Sequence, residues 1–462
     1  MSPITLLLFI AAYFLLLIGI GQWGNRHHDN ASFYLGARKS PWYVVAFGML
    51  GASLSGITFV SVPGMVLQSG YSYLQMVIGF ALGYLVVAHV LLPVYYRLQV
   101  TSIYQYLGNR LGTYSQRTGS FFFLLSRLLG ASIRLYAATW LIWHLVLAPL
   151  GISFLLTACI FIGIIFIYTY SGGIRTIVWT DALQTLCILL ALCGLLYESS
   201  SQLTHFPWTD YSYFEWNWSS KNNFFKWLIS GIFITLSMTG LDQDMMQKNL
   251  SCKSLHDAQK NMRCYGFSFI PVNLAFLFLG ACLVALFVQK DIDIPLQGDL
   301  LISTAIENGL FSSGAIVLLV LGIVAATCSS SDSAIISLTT AISIDFLPAE
   351  SQRNKKLRHA IHAGVCLCIL LLLFLFYWLS NTHILDLLYQ LASYTYGPLL
   401  GLFAFGLFTK FQLHDRFAPL VCIASPVLCF AIQQLTHNSL GYELLILNGL
   451  ITFVGLLLIR KR

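Results

Sequence analysis

Residues 325–333 read Ala325-Ala326-Thr327-Cys328-Ser329-Ser330-Ser331-Asp332-Ser333, in the middle of a long apolar stretch. A carboxylate and four serines therefore stand where the surrounding sequence indicates lipid. A carboxylate at bilayer depth costs about 3 kcal/mol even on insertion scales, so it normally has a partner and a function. Hydroxyl and carboxylate oxygens without a basic neighbour are the ligands that a small hard cation prefers. The segment predicts a cation site inside a membrane helix.

The composition indicates the class of protein. The 462 residues are 57% hydrophobic and only 9% charged, whereas soluble domains are about 25% charged. The chain therefore reads as a polytopic membrane protein. Its net charge is +7, but the basic residues lie in short loops and form no nucleic-acid motif, so we expect no nucleic-acid partner. No HExxH, P-loop or nucleophile-elbow pattern occurs, so we do not expect an enzyme.

Thirteen hydrophobic runs are long enough to cross a bilayer, and we number them helix 0 to helix 12. Helix 0 lacks a basic n-region and a cleavage site, which predicts an uncleaved first span. In chain order the predicted spans are 3–23, 42–66, 73–96, 118–148, 152–170, 174–197, 224–248, 265–289, 312–344, 359–380, 384–409, 417–436 and 441–459.

The basic residues predict the orientation of these helices. With the N-terminus outside, twenty of the 25 Lys and Arg residues fall in inside loops, Lys248 and Arg358 among them. Three fall outside (Lys221, Lys226 and Lys290), and two lie within helix 3 (Arg127 and Arg134). The positive-inside rule then predicts an outside N-terminus and a cytoplasmic C-terminus.

A second intramembrane acid follows the turn between helices 4 and 5. Tyr168-Thr169-Tyr170-Ser171-Gly172-Gly173 closes helix 4, and the glycine pair permits a tight turn. Helix 5 then carries Asp181 a turn or two into the membrane. A local cap or ion pair is one interpretation of Asp181, but intramembrane acids usually mark functional sites.

The serines of helix 8 share a face with the first acid. At 3.6 residues per turn, a ~100° arc contains Ala326, Ser329, Ser330, Ser333 and Ser337, with Asp332 at its rim. Serines also serve helix packing and bond preceding carbonyls. That explanation does not account for Asp332.

Four segments, in the correct order, resemble the sodium:solute symporter family of sodium-coupled sugar, proline, monocarboxylate, vitamin and sialic acid carriers. Residues 168–184 resemble its signature Y-T-x-x-G-G-x-x-x-x-x-W-T-D-x-x-Q. Residues 93–107 are similar to its loop between helices 2 and 3, 241–250 to its helix 6 ending, and 397–403 to its helix 10 centre. The resemblance covers nearly the whole chain.

The resemblance implies an all-α polytopic membrane protein in which 1–462 form a single transporter domain. Its inverted-repeat (5+5) core of the amino-acid-transporter type would comprise helices 1–5 (42–197) and helices 6–10 (224–409). Residues 3–23 would be a leading helix, and 417–459 would hold two peripheral helices. Helices 1 and 6 would be broken at the midplane, which frees carbonyls and half-helix ends for ions and substrate.

The resemblance also implies sodium ligands. The main sodium site would take the carbonyls and hydroxyls of Gly51, Leu54, Ala326, Ser329 and Ser330. A second site, present in some members, would map to Asp181, Ser329, Asp332 and Ser333. Asp332 departs from the pattern, which leaves open a second sodium, a proton, or an ion pair with Arg127 or Arg134. One or two sodium ions are therefore expected.

The substrate is predicted less closely. Ser53, Ser55 and Thr58 match a hydroxyl pattern of the sialic acid branch, and Gln75 is placed to face the same cavity. Met238 and Thr239 stand where sugar carriers have aromatics, which disfavours a stacked hexose. Arg134 fits a carboxylate clamp as well as it fits a salt bridge or a snorkelled arginine. The candidate substrate residues are Ser53, Ser55, Thr58, Gln75, Arg134 and Thr239.

We therefore expect a sodium-coupled secondary active symporter that imports a small organic solute by alternating access. The solute would be anionic or polyhydroxylated, such as a sialic acid, a sugar or a carboxylate. The protein would act as a monomer in the lipid bilayer of a bacterial inner membrane. The alternatives are a proton-coupled carrier of the same fold that uses Asp332 or Asp181, and an ion channel.

Overall fold

The computed structural model describes residues 3–24, 30–379, 384–436, 441 and 443–461. Within these ranges the chain is helical, and strand pairing is limited to isolated bridges. Among the described residues, eight helices are long and apolar enough to cross a membrane, and two bent helix pairs bring the number of candidate spans to ten. The prediction of an all-helical polytopic membrane protein is confirmed.

The unbroken helices follow the predicted spans. In order from helix 0 they are Pro3–Gly24, Tyr73–Arg97, Thr113–Ile142, Phe154–Tyr170, Gly172–Ser201, Leu255–Gln289, Ser313–Phe346, Lys355–Leu379, Ile384–Phe408, Ala418–Leu435 and Glu443–Leu458, helices 1 and 6 being the bent pairs. Helix 7 begins ten residues before the predicted residue 265, because Ser254 caps a polar first segment by accepting the Asp257 N–H. The predicted end of helix 9 at residue 380, Arg26 and Arg462 lie outside the described residues.

Helix 1 is broken at the predicted place. Its halves, Trp42–Ser53 and Thr58–Ser69, are bent by 70°. The break begins at Leu54, which has an extended backbone (φ −87°, ψ 106°). The Ser55 N–H donates to Thr58 Oγ1 at 3.0 Å, which satisfies a donor that the helix would otherwise have bonded.

Helix 6 is broken as well, and its break is tightly capped. Its halves, Phe224–Gly240 and Gln243–Leu250, are bent by 67°. The second half begins at Asp242, whose carboxylate accepts the N–H groups of Asp244 and Met245. Tyrosine hydroxyls donate to the exposed carbonyls: Tyr95 to Gly240 at 2.9 Å and Tyr104 to Leu241 at 3.0 Å. These two carbonyls at the break of helix 6 are thus already bonded.

The glycine pair between helices 4 and 5 forms the predicted turn. Gly173 has φ +57° and ψ −145°, a conformation that residues with a side chain rarely adopt. The backbone of Phe33 packs against this glycine where a Cβ would project. The turn therefore requires glycine for both its conformation and its neighbour.

Helix 8 lies at the centre of the protein. In the most apolar 18-residue segment of helix 8, 72% of the residues are buried inside the protein. The corresponding shares are 22% for helix 11 and 28% for helix 9. Exposed leucines and aromatics on helices 9 and 11, such as Trp378 and Leu420, suit contact with lipid. The serine-rich segment is therefore surrounded by other helices.

Two basic residues counted in the inside loops, Lys248 and Arg358, are buried residues of helices, so their assignment to loops is wrong. The Lys248 side chain is 1% exposed at the end of helix 6. Arg358 is 2% exposed and lies over the Phe33 ring at 4.3 Å. Both side chains have local partners, which is why apparent loop charges fold inward.

Candidate functional site

The carboxylate of Asp181 joins three helices. Ser329 Oγ of helix 8 donates to Asp181 Oδ1 at 2.5 Å, and Lys248 Nζ of helix 6 lies 2.7 Å from Oδ2. The side chains of Asp181 and Lys248 are each 1% exposed, so this ion pair is shielded from water. Buried charges need partners of this kind, because an isolated charge is strongly destabilised in a low-dielectric interior.

The first half of helix 1 packs closely against the same part of helix 5. A Cβ at Gly48 would lie 2.9 Å from the Asp181 Cβ, so a larger residue does not fit there. One turn later, the Gly51 N–H donates to Thr185 Oγ1 at 3.2 Å, and this hydroxyl donates to the Asp181 carbonyl at 2.7 Å. The structure therefore brings Gly51, Asp181 and Ser329 to one level of the protein.

The break of helix 1 lies beside the oxygen-rich face of helix 8. A Cβ at Gly56 would lie 2.9 Å from Thr327 Oγ1, and Ala326, Ser329 and Ser330 are all buried. Ser329 donates its proton to Asp181, and Ser330 donates to the Thr327 carbonyl at 3.1 Å. A hydroxyl that donates in this way keeps its lone pairs for a cation. The hydroxyls of Ser329 and Ser330 therefore retain acceptor oxygens, and the main sodium site stays a prediction.

Asp332 has polar partners, but Arg127, one of the alternatives for it, is not among them. Its Oδ2 accepts from Tyr168 Oη at 2.8 Å and Gln184 Nε2 at 3.4 Å, and its Oδ1 accepts the Ser333 N–H at 2.6 Å. Gln184 lies one turn after Asp181 on helix 5, so the two acids occupy neighbouring levels. The proposed pair with Arg127 is wrong, because that side chain bonds elsewhere.

Arg127 ties helix 3 to the second half of helix 6. It lies 3.2 Å from Asp242 Oδ1 and also forms an ion pair with Asp244. From helix 10, Tyr396 Oη donates to Asp242 Oδ2 at 2.5 Å. Both acids are buried, so one guanidinium and one hydroxyl hold three helices together in the interior.

A cavity of about 640 Å³ adjoins this cluster. Its volume lies within the roughly 300–1,000 Å³ that is typical of small-molecule sites. Arg127 and Tyr396 form part of its wall. Other polar residues of the wall include Ser53, Ser55, Thr58, Ser61, Ser126, Arg134, Asn273, Ser393 and Gln433. Apolar side chains such as Met238 and Phe269 complete it. The cavity is suited to a polar organic molecule with an apolar portion.

Four of the six candidate substrate residues, Ser53, Ser55, Thr58 and Arg134, line this cavity, and two do not. Gln75 instead holds the segment before helix 6, since its amide donates to the Asn222 carbonyl at 3.1 Å and accepts the Glu215 N–H at 3.1 Å. Thr239 is buried inside helix 6. The structure therefore separates Gln75 and Thr239 from the cavity wall.

The sequence reasoning missed Lys248, Asn273 and Tyr396. Lys248 looks like a loop residue, although Asp181 signals that an intramembrane acid needs a cation. Asn273 and Tyr396 lie in apolar helices, and polar residues there usually face the interior. That general rule identifies such residues as inward-facing but does not reveal which cavity they reach.

Two helices broken near their middles, a polar cavity between them and a buried oxygen-rich face define a membrane carrier of small solutes. Residues 33–412 match the family model described as the sodium:solute symporter family. The chain belongs to this family. It is a sodium-coupled solute symporter, as predicted, and sodium is its coupling ion.

Two bacterial relatives of this chain are similar over most of their length. A sodium/sialic acid symporter of Aliivibrio fischeri is 25% identical over 475 residues, which cover 96% of this chain and 91% of the relative. Another, from Proteus mirabilis, is 24% identical over 431 residues, which cover 86% and 82%. A solved structure of a Na⁺-coupled sialic acid symporter, substrate-bound and outward-open, has a TM-score of 0.79 at 19% identity and covers 99% of this chain and 98% of that one. The last likeness is one of fold.

Proposed function

We propose that this symporter imports a small, polyhydroxylated organic anion such as a sialic acid. The observation that supports this most directly is the cavity wall, in which a guanidinium stands among hydroxyl and amide groups. Arg134 lies two turns beyond Arg127 on helix 3 and lines the same cavity. Guanidinium groups bind carboxylates with paired hydrogen bonds, and Ser53, Ser55 and Thr58 are suited to sugar hydroxyls.

Sodium would bind between helix 1 and helix 8. Its ligands would be the carbonyls of Gly51, Leu54 and Ala326 and the hydroxyls of Ser329 and Ser330. Leu54 and Ser55 also adjoin the cavity, so an ion here would stabilise the backbone that carries the substrate groups. Ion and solute would each raise the affinity for the other, typically by about 1–3 kcal/mol.

We further propose thirteen membrane helices and two inverted five-helix halves, 42–197 and 224–409, in a single domain. Helix 1 is the first helix of one five-helix half and helix 6 is the first helix of the other, and both are broken. Five crossings separate their starts, and an odd number of crossings inverts the second half relative to the first. Residues 3–23 and the helices of 417–459 would surround this core. The protein would act as a monomer in a bacterial inner membrane, as the bacterial relatives suggest.

Alternating access would use the cavity and the cluster beneath it. Tyr73, Gln433 and Leu444 line the cavity near helix ends that the charge pattern assigns to the outside. Towards the other side the path meets Arg127, Asp242, Asp244 and Tyr396. The cavity would therefore face outward here, and release of solute inward would require helices 3, 6 and 10 to separate at this cluster.

A direct test measures sodium-dependent uptake of N-acetylneuraminate into proteoliposomes and the sodium-dependent thermal shift of purified protein with this solute. We expect Arg134→Gln to weaken the apparent affinity about 10- to 100-fold, since a hydrogen bond to a charged group contributes about 1.5–3 kcal/mol. Arg134→Lys should recover part of it, because lysine keeps the charge but loses the planar fork.

Arg117→Gln provides the matched control, because Arg117 is an exposed arginine of the same helix. Its uptake should equal that of the wild type. If the wild type neither takes up N-acetylneuraminate nor is stabilised by it, but does so with another carboxylate, that carboxylate is the proposed solute instead. Undiminished affinity in Arg134→Gln would refute the role of Arg134.

The orientation is tested by cysteine labelling in a variant that lacks the native thiols. Trp218 and Lys253 are both exposed in the structure, on loops predicted to lie on opposite sides. In intact cells, an impermeant maleimide should label Trp218→Cys quickly and Lys253→Cys only after the membrane is opened. The reverse pattern would overturn the predicted topology.

A further inference from the structure

We infer that the ammonium of Lys248 takes the place of a second sodium ion beside Asp181, so that the carrier moves a single sodium per solute. This inference rests on the proposed function, because it concerns the ion stoichiometry of the same symporter. It replaces the expectation that Asp181, Ser329, Asp332 and Ser333 hold a second sodium. The observations that support it are the position, burial and charge of Lys248.

The ammonium group of Lys248 contacts the carboxylate of Asp181 that a second sodium ion would need as a ligand. Lys248 Nζ lies 2.7 Å from Asp181 Oδ2, and the other carboxylate oxygen accepts the Ser329 hydroxyl. Asp181 is the acid that helix 5 contributes to the predicted second site. Both of its carboxylate oxygens are thus already engaged. A lysine ammonium is a compact point cation with three donors, so it can satisfy a carboxylate as a small cation does.

The surrounding fold holds this cation in place. Every residue of the second half of helix 6, Gln243–Leu250, is buried despite its polar composition. Neighbouring side chains anchor the segment: Gln247 Nε2 donates to Thr340 Oγ1 at 2.8 Å, and Asn261 Nδ2 donates to Asn249 Oδ1 at 2.7 Å. Lys248 therefore approaches Asp181 from a rigid support, as part of the folded core.

The charge of Lys248 also weighs against a second sodium ion beside Asp181. The ammonium already supplies the positive charge that an ionised Asp181 needs, at a distance of 2.7 Å. A sodium ion at the same carboxylate would lie next to the ammonium, and like charges this close repel strongly in a low-dielectric interior.

The consequence for transport is that one cation of the site stays with the protein. Lys248 belongs to the inner half of helix 6, so its charge moves with that half-helix and is never released. Such a cation balances Asp181 without drawing on the sodium gradient. The driving force for the solute would then come from the single sodium of the main site.

The test is equilibrium binding of ²²Na⁺ to purified protein in lipid nanodiscs, which needs no knowledge of the solute. The wild type should bind one sodium per chain with a Hill coefficient of about one. Lys248→Met removes the ammonium at similar side-chain length, so Asp181 should accept sodium, and the stoichiometry should rise to two. Adding Asp181→Asn to Lys248→Met should abolish the second ion.

Lys253→Met provides the control, because it removes an exposed lysine from the neighbouring loop and should leave one sodium bound. Two sodium ions on the wild type would overturn the inference and leave sodium symport intact. A folded Lys248→Met protein that still binds one ion would overturn it as well. Should Lys248→Met fail to fold, the wild-type stoichiometry decides alone. A wild type that binds no sodium would refute the proposed ion site itself.

Discussion

Replacing sodium with potassium or choline at fixed pH is expected to abolish concentrative uptake by this protein. Ser330→Ala should bind sodium more weakly, because Ser330 is a proposed ligand whose hydroxyl donates to the Thr327 carbonyl and keeps its lone pairs. Loss of one oxygen ligand should raise the sodium concentration for half-maximal uptake by about tenfold, which corresponds to about 1.4 kcal/mol. The measurement is initial uptake of N-acetylneuraminate into proteoliposomes over a range of sodium concentrations.

Ser337→Ala is the matched control for this series. Ser337 is equally buried on helix 8, two turns further on, and its hydroxyl donates to the Ala334 carbonyl at 2.9 Å. Its sodium dependence should be that of the wild type. Full uptake without sodium, driven instead by an imposed pH gradient, would contradict sodium coupling and favour a proton carrier. Equal weakening in Ser330→Ala and Ser337→Ala would point to a packing defect.

The helices were predictable because lipid imposes a simple rule on sequence. A bilayer core requires about 20 apolar residues per helix, and helix 8 accordingly runs within two residues of its predicted ends. Helix 7 was predicted too short, since its first ten residues are mostly polar and lie beyond the apolar segment. Hydropathy reports the solvent around a helix and not its hydrogen-bonded length.

The oxygen-rich face was predictable for a related reason. Asp332 and Asp181 are conspicuous only because their neighbours are apolar, and helix periodicity places the serines on one face. The partners of these acids were not predictable. Lys248 lies 67 positions from Asp181 in the chain, and its approach depends on the 67° bend of helix 6. Such pairings follow from packing between distant segments.

The case of Arg127 shows the same limit. Two arginines on helix 3 and several acids elsewhere allow several pairings, and the sequence left Asp332 open as one alternative partner. The structure instead joins Arg127 to Asp242 and Asp244, which follow the break in helix 6. An Asp-x-Asp pair at the start of a half-helix is a reasonable arginine partner, because Asp242 also caps that helix.

Removing the Arg127 guanidinium is expected to have the largest effect on stability. In Arg127→Met, Asp242 and Asp244 would remain buried without a counter-charge, and breaking a buried ion pair from one side costs about 3–5 kcal/mol. We expect little folded protein from this variant, measured by fluorescence-detected size-exclusion chromatography and by thermal unfolding in detergent. Arg117→Met, which changes an exposed arginine on the same helix, should behave as the wild type.

Combining Arg127→Met with Asp242→Asn and Asp244→Asn separates charge from shape. With no charge left at the cluster, the unbalanced acids disappear, and much of the lost stability should return. Transport should not return with it, because Tyr396 and Arg127 would no longer hold helices 3 and 10 to the second half of helix 6 on the inner side of the cavity. If the triple variant transports normally, the cluster stabilises the fold and takes no part in closing the inner side. If Arg127→Met alone is as stable as the wild type, the two acids are not held by this ion pair at all.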